Sequence, residues 1–211
     1  MRRVLKTCVL AVMFGGVLPA GVTARLLHRL TGSAMLFNLF AQWFAVVPGI
    51  FGVYARICYY KQTLARAEFD GEFAFGSMVT KISAEIGHRV YVGLYSTVGY
   101  AEIGDDCVLA NFVSILSGRR QHNFADPDRP IFSNEDTFAK VTIGENCFFG
   151  DKSTVMANVG RRTIVGAGSV VVDDIPEYVI AAGSPAKPVR DRRPGSPAGA
   201  SPAAGGEINR P

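Results

Sequence analysis

The chain has 211 residues, a length that suits one main domain with appendages. With 48% hydrophobic and 19% charged residues, its composition excludes a wholly disordered protein and supplies enough apolar material for a sizeable core. The four cysteines form no CxxC pair and the three histidines share no metal-binding spacing. The sequence therefore predicts neither a disulfide-stapled mini-domain nor a histidine-rich metal site.

The net charge of +4 is unevenly distributed along the chain. Residues 1–67, which we call the head, contain eight Lys and Arg residues and no Asp or Glu. Residues 68–211 therefore carry a net charge of −4. A basic, apolar head on a mildly acidic body indicates that the two parts occupy different environments.

The head holds two uncharged stretches, from Thr7 to Ala24 and from Leu30 to Ala55. The first is about as long as a bilayer-crossing helix, which needs roughly 20 residues. Beyond Pro48, apolar residues recur near helical spacing with basic residues between them, which predicts a helix lying among lipid headgroups. Anionic lipid attracts each basic residue near its surface by about 1 kcal/mol. We therefore expect the head to bind an anionic membrane surface, the cytoplasmic face of the inner membrane.

Other interpretations of the head are weighed against this one. The basic residues are scattered among apolar runs, which disfavours nucleic acid as the partner. A signal peptide cleaved after Ala24 and a buried helical hairpin capping the body stay open as alternatives. Arg25 and Arg29 argue against two membrane spans, because they would lie on the non-cytoplasmic side. A single spanning helix and a surface-lying helix are both compatible with the sequence.

The body carries an internal repeat of six residues. Every lead position of the repeat is apolar, and eight of the twelve are followed directly by Gly, although Gly is only 23 of the 211 residues. Two intervals are short, from Val98 to Ile103 and from Val155 to Val159, which predicts a local bulge or a shortened coil at each. The lead residues are Ile86, Val92, Val98, Ile103, Leu109, Ile115, Ile143, Phe149, Val155, Val159, Val165 and Val171.

This period predicts short strands joined by tight turns, wound as a triangular coil with the lead side chains stacked inward. Glycine beside the lead residue would permit close backbone approach and unusual φ values. We expect Cys107 and Cys147 to serve in packing, because they occupy small corner positions. The small fifth residues that should fit the corners are Val90, Ser96, Cys107, Cys147, Ser153 and Ser169.

The repeat resembles that of the hexapeptide-repeat acyltransferases, over about residues 75–190. The resemblance implies a mainly β fold, a left-handed parallel β-helix, here with an apolar, basic helical region before it. The predicted organisation is a membrane-associating head (1–67), a β-helix body (68–190) and a tail (191–211). The tail is rich in Pro, Gly, Ala and Ser and is expected to be disordered.

One long interruption, residues 118–141, breaks the repeat, and long excursions from a regular scaffold are commonly functional. Its beginning, SILSGRRQHNF, resembles the segment of sugar and xenobiotic O-acetyltransferases that carries the catalytic histidine, here His122. Neutral imidazole in that role takes the proton of a sugar hydroxyl, worth about 10²–10⁴ in rate. A carboxylate (Asp126, Asp128 or Glu135) or a carbonyl would orient the ring. The alternative is a solvated loop histidine.

The end of the body resembles the family's coenzyme A-binding end, G-N-P-A-[KR], which is matched from Gly183 to Lys187. The resemblance implies that Lys187 and Arg190 face the anionic nucleotide of the donor. It further implies contacts from Asp151, Ala167 and Gly168 to the pantetheine arm.

The chain departs from the family pattern at three places. Ser184 replaces the Asn of the terminal motif, and Val172-Asp173 stands where relatives often have Thr-Lys. Asn111 corresponds to an Asn that holds the acceptor in related enzymes, but it lies one residue early, with Phe112 in the matching place. These departures concern the donor and acceptor contacts more than the type of reaction.

The resemblance implies an acetyl-CoA-dependent O-acetyltransferase that acts on a sugar hydroxyl, needs no metal and forms a homotrimer with sites between subunits. The basic head adds the hypothesis that the acceptor is a glycolipid or polysaccharide precursor at the membrane. The alternative is a non-catalytic β-helical scaffold on the membrane. A γ-class carbonic anhydrase would need three zinc-binding histidines, and a nucleotidyltransferase a preceding Gly-rich α/β domain, and neither pattern is present in the sequence.

Overall fold

A computed structural model of the protein describes residues 2–119, 128, 138–193 and 195. Within this part of the chain, three helices precede fifteen short strands. The helices are α1 (Arg2–Thr31), α2 (Met35–Ala45) and α3 (Gly49–Thr63). The strands are β1 (Glu72–Phe73), β2 (Met78–Val79), β3 (Glu85–Ile86), β4 (Tyr91–Val92), β5 (Thr97–Val98), β6 (Ala101–Ile103), β7 (Val108–Leu109), β8 (Ser114–Ile115), β9 (Val141–Ile143), β10 (Phe148–Phe149), β11 (Thr154–Val155), β12 (Ile164–Val165), β13 (Val170–Val171), β14 (Val179–Gly183) and β15 (Ala186–Asp191).

The strands form three sheets, which are the faces of a triangular coil. The first face has the order β1-β4-β7-β10-β12-β14-β15, the second β13-β11-β8-β5-β2 and the third β3-β6-β9. Neighbouring strands are parallel, except that β15 runs antiparallel to β14. From β1 to β14, successive strands lie on different faces and pair with strands of the neighbouring turns, so the chain winds as a solenoid.

The interior of the coil is built from the predicted lead positions. All twelve are buried, with no more than 2% of any residue exposed. The small residues predicted for the corners are buried as well, including Ser96, Ser153 and Cys107. The hexad register assigned from the sequence is therefore confirmed, because a displaced register would turn these residues outward.

Left-handed backbone conformation occurs three residues after the lead position, at the corners of the coil. The glycines directly after the leads serve close approach instead: a Cβ at Gly93 would lie 2.3 Å from the Ala110 oxygen of the next turn. The predicted close approach is confirmed there, whereas the prediction of unusual φ values at these glycines is wrong. φ lies between 53° and 60° at Arg89, Tyr95, Asp106, Phe112, Asn146, Lys152, Arg162 and Tyr178.

The two short intervals in the repeat are absorbed on the third face. After the five-residue interval, β6 is three residues long and buries both Ala101 and Ile103. At the four-residue interval, Val159 pairs with Ile143 and Ile175 through isolated bridges and forms no extended strand. The coil is shortened on this face, as the spacing predicts.

Helix α3 packs against the first turn of the coil through a buried arginine and a buried tyrosine. The Arg56 guanidinium is fully buried and donates to the carbonyl oxygens of Phe73 (2.8 Å), Phe44 (2.7 Å) and Val47 (3.0 Å). The Tyr60 hydroxyl accepts a hydrogen bond from the Val79 amide (2.9 Å). The prediction that the basic residues of this helix face lipid headgroups is therefore wrong for Arg56, which anchors the head to the body.

Helix α1 lies along α3 and leaves most of its apolar surface uncovered. The Gln62 side chain donates to the Phe14 oxygen (3.3 Å), and Arg25 donates to the Gln62 oxygen (3.1 Å). Residues Thr7–Thr31 contain an 18-residue window with a mean hydropathy of 1.8, of which 17% is buried, and the helix is long and apolar enough to cross a membrane. The described part of the chain thus does not enclose α1, which disfavours a buried hairpin. Large exposed side chains of α1 are Val12, Leu18, Val22, Leu26 and Leu30.

Candidate functional site

Much of the interruption that carries the predicted catalytic residue is outside the described part of the chain. His122, Asp126 and Glu135 lie outside the described residues, whereas Asp128 is within them. The assignment of His122 as general base and the choice of its orienting partner stay predictions. The structure does describe how the interruption, which we call the flap (residues 118–141), leaves and rejoins the coil.

Both ends of the flap are fastened to the coil. At its base, the Ala139 amide donates to the Ser117 oxygen (2.9 Å). On the incoming side, the Lys140 ammonium pairs with Glu85 (2.7 Å) and Glu102 (2.9 Å) on the third face. Hydrogen bonds to these two carboxylates raise the pKa of Lys140, so its charge is stabilised at the return point of the flap.

The outgoing end of the flap is held by the acid that departs from the family pattern. Arg119 pairs with Asp173 (2.8 Å) and also donates to the Val172 oxygen (3.1 Å). The same Asp173 carboxylate pairs with Lys187 (3.3 Å). Asp173 therefore lies between a cation of the flap and a cation of the predicted donor site. Its side chain is about half exposed, so each pair contributes modestly.

Asn111 and three predicted donor residues share the corner between the first and second faces. The Asn111 side chain accepts from the Leu94 amide (3.0 Å), and Asp151 accepts from the Asn111 amide (2.7 Å). The backbone amide of Gly168, the residue after Ala167, donates to the backbone oxygen of Asp151 (2.8 Å). The side chains of Asn111 and Asp151 thus satisfy backbone donors of neighbouring turns. Any ligand role would be additional to this structural one.

The remaining predicted donor residues lie on the terminal strand. Lys187 pairs with Ala182 and Arg190 with Ile180 in the antiparallel ladder of β14 and β15, and both cations are exposed. Lys187 contacts Asp173, which follows the second face at the opposite corner from Asp151. A single chain therefore does not bring all five predicted donor residues into one cluster.

A pocket that the sequence analysis missed lies where α2 crosses the second face, beside the base of the flap. It has a volume of about 460 Å³, within the range of small-molecule sites. The signal in the sequence is the pair of amide residues Asn38 and Gln42 within an uncharged, largely apolar stretch. Their spacing of four residues places them on one side of a helix. The pocket is lined by Asn38, Gln42, Lys81, Thr97, Ser117 and Phe138, among others.

The two cysteines of the coil lie in packed environments, as predicted. Cys107 and Cys147 are buried in adjacent turns, and their sulfurs approach the oxygens of Gly144 (3.1 Å) and Gly160 (3.2 Å). A hydrogen bond with Cys147, together with burial, raises the pKa of the Cys107 thiol, which makes it a poor nucleophile. Among the described residues, no three His, Cys, Asp or Glu side chains come together as metal ligands.

Comparison with known proteins supports the repeat and the coil. The family described as the hexapeptide repeat of succinyl-transferase matches residues 84–117 and 140–172. Galactoside O-acetyltransferase of Escherichia coli K12 is 30% identical over 125 residues, covering 56% of this chain and 57% of that protein. A second protein of that strain, WbbJ, named for O-acetyl transfer in lipopolysaccharide biosynthesis, is 32% identical over 124 residues (56% and 63%).

The fold is shared with a solved structure. Galactoside acetyltransferase in complex with coenzyme A aligns with a TM-score of 0.61 at 22% identity, over 75% of this chain and 80% of that one. The predicted left-handed parallel β-helix is thereby confirmed. The chain spans less than two thirds of the length of both curated relatives. The chain thus carries the hexapeptide repeat, folds as a left-handed β-helix and is similar to acetyltransferases that share both features.

Proposed function

We propose that the protein is an acetyl-CoA-dependent O-acetyltransferase whose acceptor is a sugar hydroxyl of a glycolipid or polysaccharide precursor at the membrane. The observation that carries this proposal is the placement of the flap. Its two described ends are fastened by ion pairs beside a pocket of about 460 Å³. The named activities of the two curated relatives support acetyl transfer to a sugar.

In the proposed reaction, His122 removes the proton of the acceptor hydroxyl while the oxygen attacks the thioester carbonyl of acetyl-CoA. Backbone N–H groups near the flap would stabilise the oxyanion of the tetrahedral intermediate. When the intermediate collapses, the carbon–sulfur bond breaks and the imidazolium returns its proton to the thiolate. The products are the acetyl ester and coenzyme A with a free thiol, and the histidine is regenerated.

The donor would bind between subunits of a homotrimer. Asp151, Ala167 and Gly168 lie at one corner of the coil, whereas Lys187 lies with Asp173 at the other corner of the second face. A donor held between two coils could contact the first corner of one subunit and the second corner of its neighbour. This arrangement agrees with the trimer implied by the family resemblance. Light scattering that showed a fully active monomer would contradict it.

The test of the proposal is acetyl-CoA turnover. We expect thiol release that depends on a carbohydrate acceptor, together with the mass of one acetyl group on that acceptor. His88→Ala is a suitable control, because His88 lies on the exposed surface with its Nδ1 3.0 Å from Asp70. A protein that releases no thiol with any glycolipid or glycan of its source membrane would be the scaffold of the alternative hypothesis.

We expect the head to lie on the membrane surface without crossing it. Because α1 contacts α3 from Phe14 to Arg25, and α3 contacts the coil, a spanning α1 would carry Gln62 and Lys61 into the hydrocarbon. Such burial of polar groups is costly. The exposed stripe of α1 can enter the interface while its packed side keeps the contacts to α3.

Substituting this stripe should release the protein from lipid. Leu26 and Leu30 are 53% and 74% exposed, and we expect Leu26→Ser with Leu30→Ser to weaken binding to anionic vesicles at least about tenfold. Sedimentation with phosphatidylglycerol vesicles measures this. Leu94→Ser, at an exposed position on the coil, should bind like the wild type. Equal sedimentation of all three proteins would contradict a role of α1 in binding.

Removing the negative charge between the flap and the donor end should change donor binding. In Asp173→Asn, Lys187 loses a competing carboxylate and its charge becomes fully available to an anionic nucleotide. We expect the KM for acetyl-CoA to fall a few-fold and kcat to fall a few-fold as Arg119 loosens. Steady-state kinetics separate the two effects. Glu177→Gln, which breaks an exposed pair with Arg161, is the control that should change neither.

A further inference from the structure

The pocket under α2 is lined by polar side chains from both the head and the coil. Asn38 and Gln42 lie one turn apart on α2, and neither amide side chain hydrogen-bonds to a described residue. Across the pocket are the hydroxyl groups of Thr97 and Ser117, on the second and third turns of the coil. Each makes one hydrogen bond within the coil, Thr97 to Ser114 and Ser117 from the Tyr100 amide, and a hydroxyl group can make more than one. Amides and hydroxyls both donate and accept hydrogen bonds, as the recognition of sugar hydroxyls requires.

The surface next to this polar row is apolar and exposed. Met35, Leu39 and Trp43 form a stripe along α2 and are 66%, 44% and 67% exposed. This stripe lies beside Asn38 and Gln42 on the helix surface. Met35 precedes Asn38 by three residues, and Leu39 precedes Gln42 by three, which makes each pair neighbours on the helix. The opposite side of α2 is buried against the rest of the head. One helix therefore presents a polar edge to the pocket and an apolar edge to its surroundings.

The pocket also opens beside the flap. Ser117 is the last coil residue before the flap, and Phe138 lies on its returning side, where the Lys81 ammonium is 3.4 Å from its ring centroid. A molecule in the pocket would thus lie next to the segment that carries the proposed base. Its position between the head and the coil makes the pocket a property of the single chain.

We propose that this pocket binds the sugar headgroup of an amphiphilic acceptor whose hydrocarbon chain lies along the Met35–Leu39–Trp43 stripe. The inference rests on the proposed function and names the form of its acceptor, a sugar attached to an alkyl or acyl chain. A free sugar would gain only the polar contacts. An amphiphile would add the burial of its chain against the stripe, about 0.8 kcal/mol per fully buried CH₂.

Trp43 is the single tryptophan of the protein, so its fluorescence reports directly on the stripe. The probes are octyl β-glucoside and octyl β-galactoside below their micelle concentrations, with the methyl glycosides and octanol for comparison, in buffer free of other detergent. We expect saturable binding with a blue shift for at least one octyl glycoside. We also expect at least about tenfold weaker binding for the corresponding methyl glycoside and for octanol.

Two variants separate the sugar end from the chain end. Asn38→Ala with Gln42→Ala should weaken octyl glycoside binding at least about tenfold and leave octanol binding unchanged. Leu39→Ser should weaken the binding of octyl glycosides and of octanol alike. The proposal is overturned if no octyl glycoside shifts the emission, if octanol binds as well as the glycosides, or if the amide variants bind like the wild type.

Turnover is measured separately, so that the two proposals fail in different ways. Glycoside binding without thiol release from acetyl-CoA would remove the enzymatic function and keep the pocket. Acetyl transfer to free and lipid-linked sugars with equal KM, unaffected by Leu39→Ser, would keep the enzyme and remove this acceptor site.

Discussion

Replacement of His122 by alanine is expected to lower kcat by about 10²–10⁴-fold, the usual contribution of a general base. A sugar hydroxyl is too weak an acid to attack a thioester at neutral pH without proton removal. The acid limb of the pH–rate profile, which reports protonation of the base, should disappear in the variant. Substrate KM values should change little, because the imidazole acts mainly in the transition state.

The controls for this variant are structural and chemical. His122→Ala should melt within about 2 °C of the wild type if its loss of activity comes from the missing base and not from unfolding. The surface variant His88→Ala should keep full activity. A His122→Ala protein with more than about a third of wild-type turnover would show that another group takes the proton.

The largest expected effect on stability is at Arg56. Its guanidinium is buried between α2, α3 and β1, and donates to the oxygens of Phe73, Phe44, Ala45 and Val47. Burial lowers its pKa, so these carbonyl contacts offset an unfavourable desolvation of the charge. Arg56→Met would remove these hydrogen bonds. The Phe44 and Ala45 oxygens keep backbone donors, whereas those of Phe73 and Val47 would lose the guanidinium, each at a cost of about 1–3 kcal/mol.

We therefore expect Arg56→Met to destabilise the protein by at least about 3 kcal/mol, which lowers Tm by about 10 °C. Thermal unfolding of the full chain, followed by circular dichroism, measures this. Arg56→Lys should recover only part of the loss, because an ammonium cannot reach the same set of acceptors as a planar guanidinium. Arg161→Met, on the exposed surface, should change Tm by about 2 °C or less. An Arg56→Met protein with wild-type Tm would contradict the anchoring role of this residue.

The burial of Arg56 reduces the number of basic residues that the head can present to lipid. The sequence suggests eight basic residues available to an anionic surface, but this one neutralises carbonyl dipoles at the end of α2. Binding to lipid would then depend more on exposed apolar side chains of α1 and α2 than on charge alone. Salt should accordingly weaken vesicle binding without abolishing it.

Several features of the site depend on residues that are distant along the chain. Arg119 and Asp173 are 54 positions apart. In the sequence, Asp173 stands where relatives often have a lysine, which by itself indicates weaker donor binding. In the folded chain it is the acid that holds the flap and meets Lys187. The pocket likewise joins Asn38 of the head with Ser117 of the third turn. No local sequence pattern predicts these long-range contacts.

The six-residue repeat by itself determined the coil, because each lead side chain must be apolar and each corner residue small wherever a turn stacks on the next. That requirement is local and repeated. The sequence therefore predicts that the twelve lead residues, from Ile86 to Val171, and the corner residues such as Ser96 and Cys107 lie in the interior, where the structure places them. Only the tertiary structure decided the burial of Arg56, the three-way contact at Asp173 and the pocket under α2. Each of these depends on the distance between side chains brought together by winding and by the docking of the head, which residue spacing along the chain does not encode.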